Sequence, residues 1–120
     1  MLAEKKLQNA LLMSIGRRPD TRVWRHNVGK ARPLSAPDTV VQYGRPGQSD
    51  LFGITRGGRL LCIECKAASR VTEEQRSWLR MVERFGGVAI VAKLRTRFAE
   101  DLEDAVAEVV AEVNAKLDNL

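Results

Sequence analysis

Residues 50–66 read DLFGITRGGRLLCIECK, and this stretch decides the fold. Two apolar segments, 50–55 and 60–66, stand on either side of the turn residues Gly57 and Gly58. Apolar segments separated by a short glycine-containing turn are typical of a β-hairpin. The stretch therefore predicts two antiparallel strands joined by a tight loop.

An acid and an amine share one face of the second predicted strand. Glu64 and Lys66 lie two residues apart, so their side chains point the same way, about 7 Å apart along the strand. Asp50 begins the partner strand and can reach the same face. Two carboxylates that hold a divalent cation, with a lysine that orients or helps deprotonate the attacking water, are the groups that phosphodiester hydrolysis needs. On spacing alone, a surface salt bridge between Glu64 and Lys66 is the alternative.

The register of the hairpin decides whether this site can form. A two-residue turn at the two glycines would place Asp50 opposite Cys65, so that it points away from Glu64. A three-residue loop, or a bulge near Gly53, would shift the register by one and bring Asp50 onto the face of Glu64. We predict one of these two latter arrangements.

The two cysteines, Cys62 and Cys65, form a Cys-Ile-Glu-Cys pattern that suits a redox pair or half of a zinc site. In a strand, residues three apart point to opposite faces, so the two sulfurs diverge. His26 is the single histidine and there is no second cysteine pair, so one copy of the chain cannot assemble a closed four-ligand zinc site. We expect two buried structural cysteines, with a redox protein as the alternative.

The sequence before the hairpin and directly after it predicts further helices and strands. Apolar residues at helical spacing predict helices over 3–15 and 73–85, and each is followed by glycine. Alternation and turn residues predict a strand at 21–27, a loop at 28–38 and a short strand at 39–43.

The last third of the chain contains an apolar run and an amphipathic segment. The run 88–92 follows a crossover helix, so we predict a central strand, parallel to the strand at 60–66 and covered on both faces. The segment 98–120 predicts an acidic helix that packs on the domain or on a second copy. Its apolar stripe is as narrow as a coiled-coil seam, so we expect a contribution to self-association. The stripe consists of Leu102, Val106, Val109, Val113 and Leu117.

Composition and charge limit the class of protein. A chain of 120 residues with 44% apolar residues is one domain with an ordinary core. No apolar run reaches the ~18 residues that span a bilayer, and residues 1–16 contain no signal-peptide core, so we expect an intracellular protein without a membrane partner. Residues 1–97 hold 19 Lys and Arg against 8 Asp and Glu, a net charge of +11, whereas residues 98–120 carry −6. The basic body favours nucleic acid as the partner, and a merely solubilising surface is the alternative.

Six motifs in order along residues 3–93 resemble the VRR-NUC nucleases of the PD-(D/E)XK, or restriction-endonuclease-like, superfamily. They are Glu4-x-x-x-Gln8, Trp24-Arg-His-Asn-Val-Gly29, Gly47-Gln-Ser-Asp50, Ile63-Glu-Cys-Lys66, Glu74-Gln75-x-x-Trp78, and Gly86-Gly87 before an apolar strand. Ser49 departs from the pattern, because many superfamily members have proline there. The combination of motifs is far more specific than any one of them.

The resemblance implies an α/β fold and a metal site. The implied core is a helix, three strands, a crossover helix and a parallel strand, in a nuclease domain over 1–97 that is followed by the helix at 98–120. Mg²⁺ or Mn²⁺ would be bound by Asp50, Glu64 and the backbone carbonyl of Cys65, and Lys66 would be the catalytic lysine. The role of Gln75 would be to support the site, and Glu4 would complete it or hold a second metal. Helix capping for Gln75 and a favourable helix-dipole position for Glu4 are the structural alternatives.

The activity implied is a divalent-metal-dependent DNA endonuclease that is selective for branched DNA such as flaps or four-way (Holliday) junctions. By analogy with small junction-resolving relatives, it would act as a homodimer, in the cytoplasm, with a nucleoid or viral replication context open. A module on the same fold that binds nucleic acid without cutting it is the alternative. The candidate DNA contacts are Arg17, Arg18, Arg25, Asn27, Lys30, Arg32 and Arg45.

Overall fold

The computed structural model describes residues 2–27 and 29–119, so Val28 of the predicted loop and of the first-strand motif lies outside the described residues. In chain order the elements are α1 (Ala3–Gly16), β1 (Thr21–Arg25), β2 (Gly29–Ala31), β3 (Val41–Tyr43), β4 (Leu51–Thr55), β5 (Leu60–Ala67), α2 (Glu73–Arg84), β6 (Val88–Leu94) and α3 (Leu102–Asp118).

A four-stranded mixed sheet in the order β1-β4-β5-β6 forms the centre of the molecule. Within this sheet β4 is antiparallel to both β1 and β5, and β6 runs parallel to β5 after the crossover through α2. The predicted α/β fold, with its order of helix, three strands, crossover helix and parallel strand, is confirmed.

The β4–β5 hairpin has a three-residue loop, as one of the two predicted arrangements requires. Leu51 pairs with Ile63, and the Thr55 N–H donates to the Arg59 carbonyl at 3.0 Å, which leaves residues 56–58 in the loop. Both glycines of that loop have positive φ, a conformation that costs glycine little. Asp50 directly precedes β4, and continuing this register by one residue places Asp50 opposite Glu64.

The predicted central position of strand 88–92 is wrong, because β6 lies at the edge of the sheet. Its continuous apolar character comes from helices on both faces rather than from strands on both sides. The two helices α1 and α3 cover one face and α2 covers the other. Lys116 of α3 donates to the Ala89 carbonyl at 2.9 Å, and so satisfies one backbone group at this edge.

The predicted loop at 28–38 is also wrong in part, since β2 pairs with β3 in a separate two-stranded sheet. Gly29 stands opposite Tyr43 and Ala31 opposite Val41. The pairing joins segments that a nine-residue connection separates, so the local pattern of Gly29–Ala31 gives no indication of it.

The core has two parts that are separated by the sheet. The larger part joins α1, α3 and one sheet face, and includes Leu7, Leu11, Ile63, Cys65, Ile90 and Val113. The smaller part lies between α2 and the other face, and contains Cys62, Leu79, Val82 and Ala89. The two cysteines are free, buried and on opposite faces, which confirms the prediction that their sulfurs diverge.

The apolar stripe of α3 packs on the chain itself. Val109 and Val113 are buried against α1 and β6, and Leu102, Val106 and Leu117 are partly buried there. Of the residues expected to join two copies, two are therefore buried in the protein's own core and three are partly covered by it.

Candidate active site

Asp50 is held at the end of the sheet where β1, β4 and β5 meet. Its Oδ2 atom accepts a 2.8 Å hydrogen bond from the backbone N–H of Cys65. Its backbone carbonyl accepts another of 2.8 Å from the N–H of His26. The carboxylate is therefore fixed from β5, while the backbone is fixed from the end of β1.

Glu64 is the most deeply buried acid of the site, since its side chain is only 3% exposed. Gln75 Nε2 donates to Glu64 Oε1 at 3.2 Å, and Lys66 Nζ lies 3.8 Å from the same oxygen. The second oxygen, Oε2, is buried and has no hydrogen-bond partner. A buried carboxylate oxygen without a partner is costly, and a cation would relieve that cost.

Burial and a neighbouring carboxylate together change the acidity of Glu64. Burial, the negative charge of Asp50 and a hydrogen bond to Asp50 that only protonated Glu64 can donate raise the pKa of Glu64 to about 8, and the positive charge of Lys66 offsets only part of this. Glu4 adds a smaller repulsion. The site therefore resists holding two negative charges unless a positive charge joins them.

Gln75 performs both roles that the sequence left open. Its side-chain carbonyl accepts from the Thr72 N–H at 2.9 Å, and its backbone N–H donates to Thr72 Oγ1 at 3.2 Å, which forms a capping box at the start of α2. The remaining amide nitrogen donates to Glu64. One side chain thus starts the helix and orients the carboxylate.

The donor set fits a hard divalent cation such as Mg²⁺. Asp50 and Glu64 supply carboxylate oxygens, and the Cys65 carbonyl faces the same strand edge as its N–H, because both backbone groups of a residue in an antiparallel strand point to one side. Among the described residues, no group of three or more His, Cys, Asp or Glu side chains is placed to hold a metal ion. Mg²⁺ keeps several waters and binds through one or two carboxylates, so a pair is sufficient. Glu4 contributes charge at a distance and is not part of a three-carboxylate cluster.

A column of stacked aromatic rings lies beside the acids, and the sequence patterns did not reveal it. The rings of His26 and Phe52 stack with their centroids 4.0 Å apart, and Phe52 and Trp78 are nearly parallel at 5.7 Å. His26 Nε2 is 2.8 Å from the side-chain oxygen of Gln48. The strand alternation that places Phe52 on the face of Asp50 is the one signal that could have indicated the column.

The candidate DNA contacts fall into two groups. Arg17 and Arg18 follow α1 at the opposite end of β1 from Asp50, and Arg18 is bound to Asp20 at 2.8 Å and to Asn114. The structure does not bring this pair near the acids. Arg25 at the end of β1 is held by Gln8 at 3.2 Å. Asn27, Lys30, Arg32 and Arg45 are exposed, as Arg25 is, and Asn27 directly follows His26, whose N–H binds the Asp50 carbonyl.

The comparisons with known proteins show the fold. A solved structure described as a VRR_NUC domain protein matches with a TM-score of 0.52 and 21% sequence identity, over 89% of this chain and 90% of that one. The chain therefore has the fold of the VRR-NUC proteins, whose motifs its sequence resembles. No protein-family model matches the sequence, and no curated protein matches it either. Within the described residues, no helix is long and apolar enough to cross a membrane.

Proposed function

We propose that this protein is a divalent-metal-dependent nuclease that hydrolyses DNA phosphodiester bonds at the Asp50–Glu64 pair. The observation that carries the proposal is the buried, unpartnered Oε2 of Glu64, directed into a site with a second carboxylate and a lysine. The VRR-NUC fold supports the same reading. A surface salt bridge between Glu64 and Lys66 would not need such burial.

Each residue of the site has a separate role in hydrolysis. Asp50, Glu64 and the Cys65 carbonyl would hold Mg²⁺ or Mn²⁺, and the ion would make bound water more acidic and offset charge on the phosphate. Lys66 Nζ orients the attacking water, and its positive charge offsets part of the negative charge of the phosphate. By holding Oε1, Gln75 leaves Oε2 of Glu64 free for the ion. The Cys65 N–H fixes the Asp50 carboxylate in the same way.

Branched DNA is the substrate that we propose, with two copies of the chain acting together. Each chain provides one carboxylate pair, so symmetric cuts in the two strands of a four-way junction need a second copy. Val109 and Val113, at the centre of the α3 stripe, are buried within the chain, so we propose that the contact between copies lies elsewhere. Such an enzyme would work in the cytoplasm, where bacterial or viral DNA is replicated and repaired.

A gel assay of the purified protein tests the proposal. Labelled linear, flapped and four-way DNAs are incubated with Mg²⁺, with Mn²⁺ and with EDTA. We expect cuts in the branched DNAs that need the metal and disappear in EDTA. Retardation of the same DNAs without any cut would favour the alternative of a binding module that lacks nuclease activity.

A further inference from the structure

A two-stranded arm leaves the protein beside the candidate active site. We call residues 29–43, which comprise β2, β3 and the loop between them, the arm. The chain enters it just after His26, whose N–H donates to the Asp50 carbonyl at 2.8 Å. It returns just before Gln48, whose side-chain oxygen is 2.8 Å from His26 Nε2. The base of the arm is thus fastened to the segment that holds Asp50.

The tip of the arm presents an apolar side chain to solvent. Leu34 follows Pro33 in a turn that the Ala36 N–H closes on the Pro33 carbonyl at 3.1 Å. Its relative exposure is 101%, the highest among the large exposed apolar side chains of the described residues. Val40 and Val41, at the start of the returning strand, are also exposed, at 52% and 41%. Among the described residues, none shields the Leu34 side chain from solvent.

The charges along the arm and at its base favour a polyanion as the partner. Residues 29–45 contain the exposed cations Lys30, Arg32 and Arg45 against one acid, Asp38. A symmetric contact between the arms of two copies would bring these cations together, which disfavours a second copy. In DNA, the phosphates can bind the cations, and the faces of the bases can pack against the apolar side chain at the tip.

We propose that the arm recognises the branch point of DNA, with Leu34 inserted against the bases there and Lys30 and Arg32 on the flanking phosphates. The inference rests on the proposed function and deepens it by naming how the substrate is selected. At ~3.3 Å per residue, the tip reaches up to about 16 Å from the base of the arm, or roughly five base steps. Unstacking costs least where a base is already unpaired, so an apolar wedge prefers a branch to a continuous duplex.

The test replaces Leu34 and measures base stacking under conditions in which the DNA is not cleaved. A flapped DNA carries 2-aminopurine at the branch, and its fluorescence is followed in EDTA as the full-length protein is added. We expect a severalfold rise with wild type and with Phe85→Ser, whose 81% exposed ring lies outside the arm, and little rise with Leu34→Ser. Because Leu34 makes no core contact, its replacement should leave thermal stability unchanged.

Cleavage in Mg²⁺ provides the second reading. Leu34→Ser should lose about tenfold of the preference for flapped over linear DNA, which corresponds to 1.4 kcal/mol. An unchanged fluorescence rise, an unchanged preference, or a change from dimer to monomer in sedimentation would overturn the arm proposal. A wild type that unstacks the branch base through Leu34 yet cuts no DNA would support the arm and contradict the nuclease.

Discussion

The side-chain amide of Gln75 donates a 3.2 Å hydrogen bond to Glu64 Oε1 while its carbonyl oxygen caps α2 at the Thr72 N–H. The start of the crossover helix is thereby tied to the acid in the middle of the sheet. The position of α2 and the orientation of the carboxylate therefore depend on one side chain.

Gln75→Ala should lower both stability and activity, whereas Thr72→Ala should lower stability alone. Each variant loses the capping box, which is worth ~1 kcal/mol. Only Gln75→Ala also releases Oε1 of Glu64. Chemical denaturation gives the free energy of unfolding, and single-turnover cleavage gives the rate. Equal cleavage rates in the two variants would show that Gln75 is only a cap.

The stability of the metal-free protein should fall as the pH rises from about 4.5 to about 8. The pKa of Glu64 is raised from 4.5 to about 8 in the folded state, so between these values the folded protein holds the proton more tightly than the unfolded chain does. The loss amounts to a few kcal/mol at about 1.4 kcal/mol per pKa unit, and it should level off above pH 8.

Glu64→Gln removes this titration and should make the metal-free protein more stable than wild type at pH 8. Urea denaturation from pH 5 to 9 measures both profiles. Mn²⁺ should stabilise wild type at pH 8 and have little effect on the variant, since binding to the folded state alone raises stability by mass action. A wild-type profile as flat as that of the variant would contradict the raised pKa.

Lys66→Ala should keep DNA and metal binding but slow hydrolysis by about 10²- to 10⁴-fold, the range for a missing acid/base group. Lys66 is 3.8 Å from Glu64 Oε1 and almost buried. Lys93→Ala is the matched control, because Lys93 pairs with Lys66 in the β5–β6 register and is exposed. The cleavage rate of Lys93→Ala should stay near that of wild type. An equal loss of rate in the two variants would show that any positive charge on this face has the same effect, and would contradict a specific role for Lys66.

Val113→Ala should destabilise the protein by on the order of 2 kcal/mol without changing its oligomeric state. Val113 is fully buried between α3 and the rest of the core, so the truncation leaves a cavity. A chain that ends at residue 97 should fail to fold for the same reason. Thermal denaturation and sedimentation velocity measure the two effects, and a folded shortened chain would show that α3 is not part of the core.

The sequence predicted features that depend on local alternation, and missed those that depend on distant partners. The shared face of Glu64 and Lys66 follows from the period of a strand, and the hairpin follows from two glycines, which act over a few residues. The three-residue loop was one of two arrangements predicted from the need to bring Asp50 onto the face of Glu64. The edge position of β6 depends on whether another strand lies beyond it, and no property of the apolar run reports that. The stack of His26, Phe52 and Trp78 joins three separate elements, so each residue alone appeared ordinary.

Single-turnover cleavage by wild type and Asp50→Asn, measured over a Mn²⁺ titration on one flapped DNA, tests the Asp50–Glu64 pair most directly. Asparagine keeps an oxygen that can accept from the Cys65 N–H, so the variant retains the fold while losing the charge. We predict that wild type cuts in proportion to bound Mn²⁺ and that the variant is slower by ~10²-fold or more at every concentration. Equal rates in the two proteins, or wild-type cleavage that persists without metal, would contradict the account.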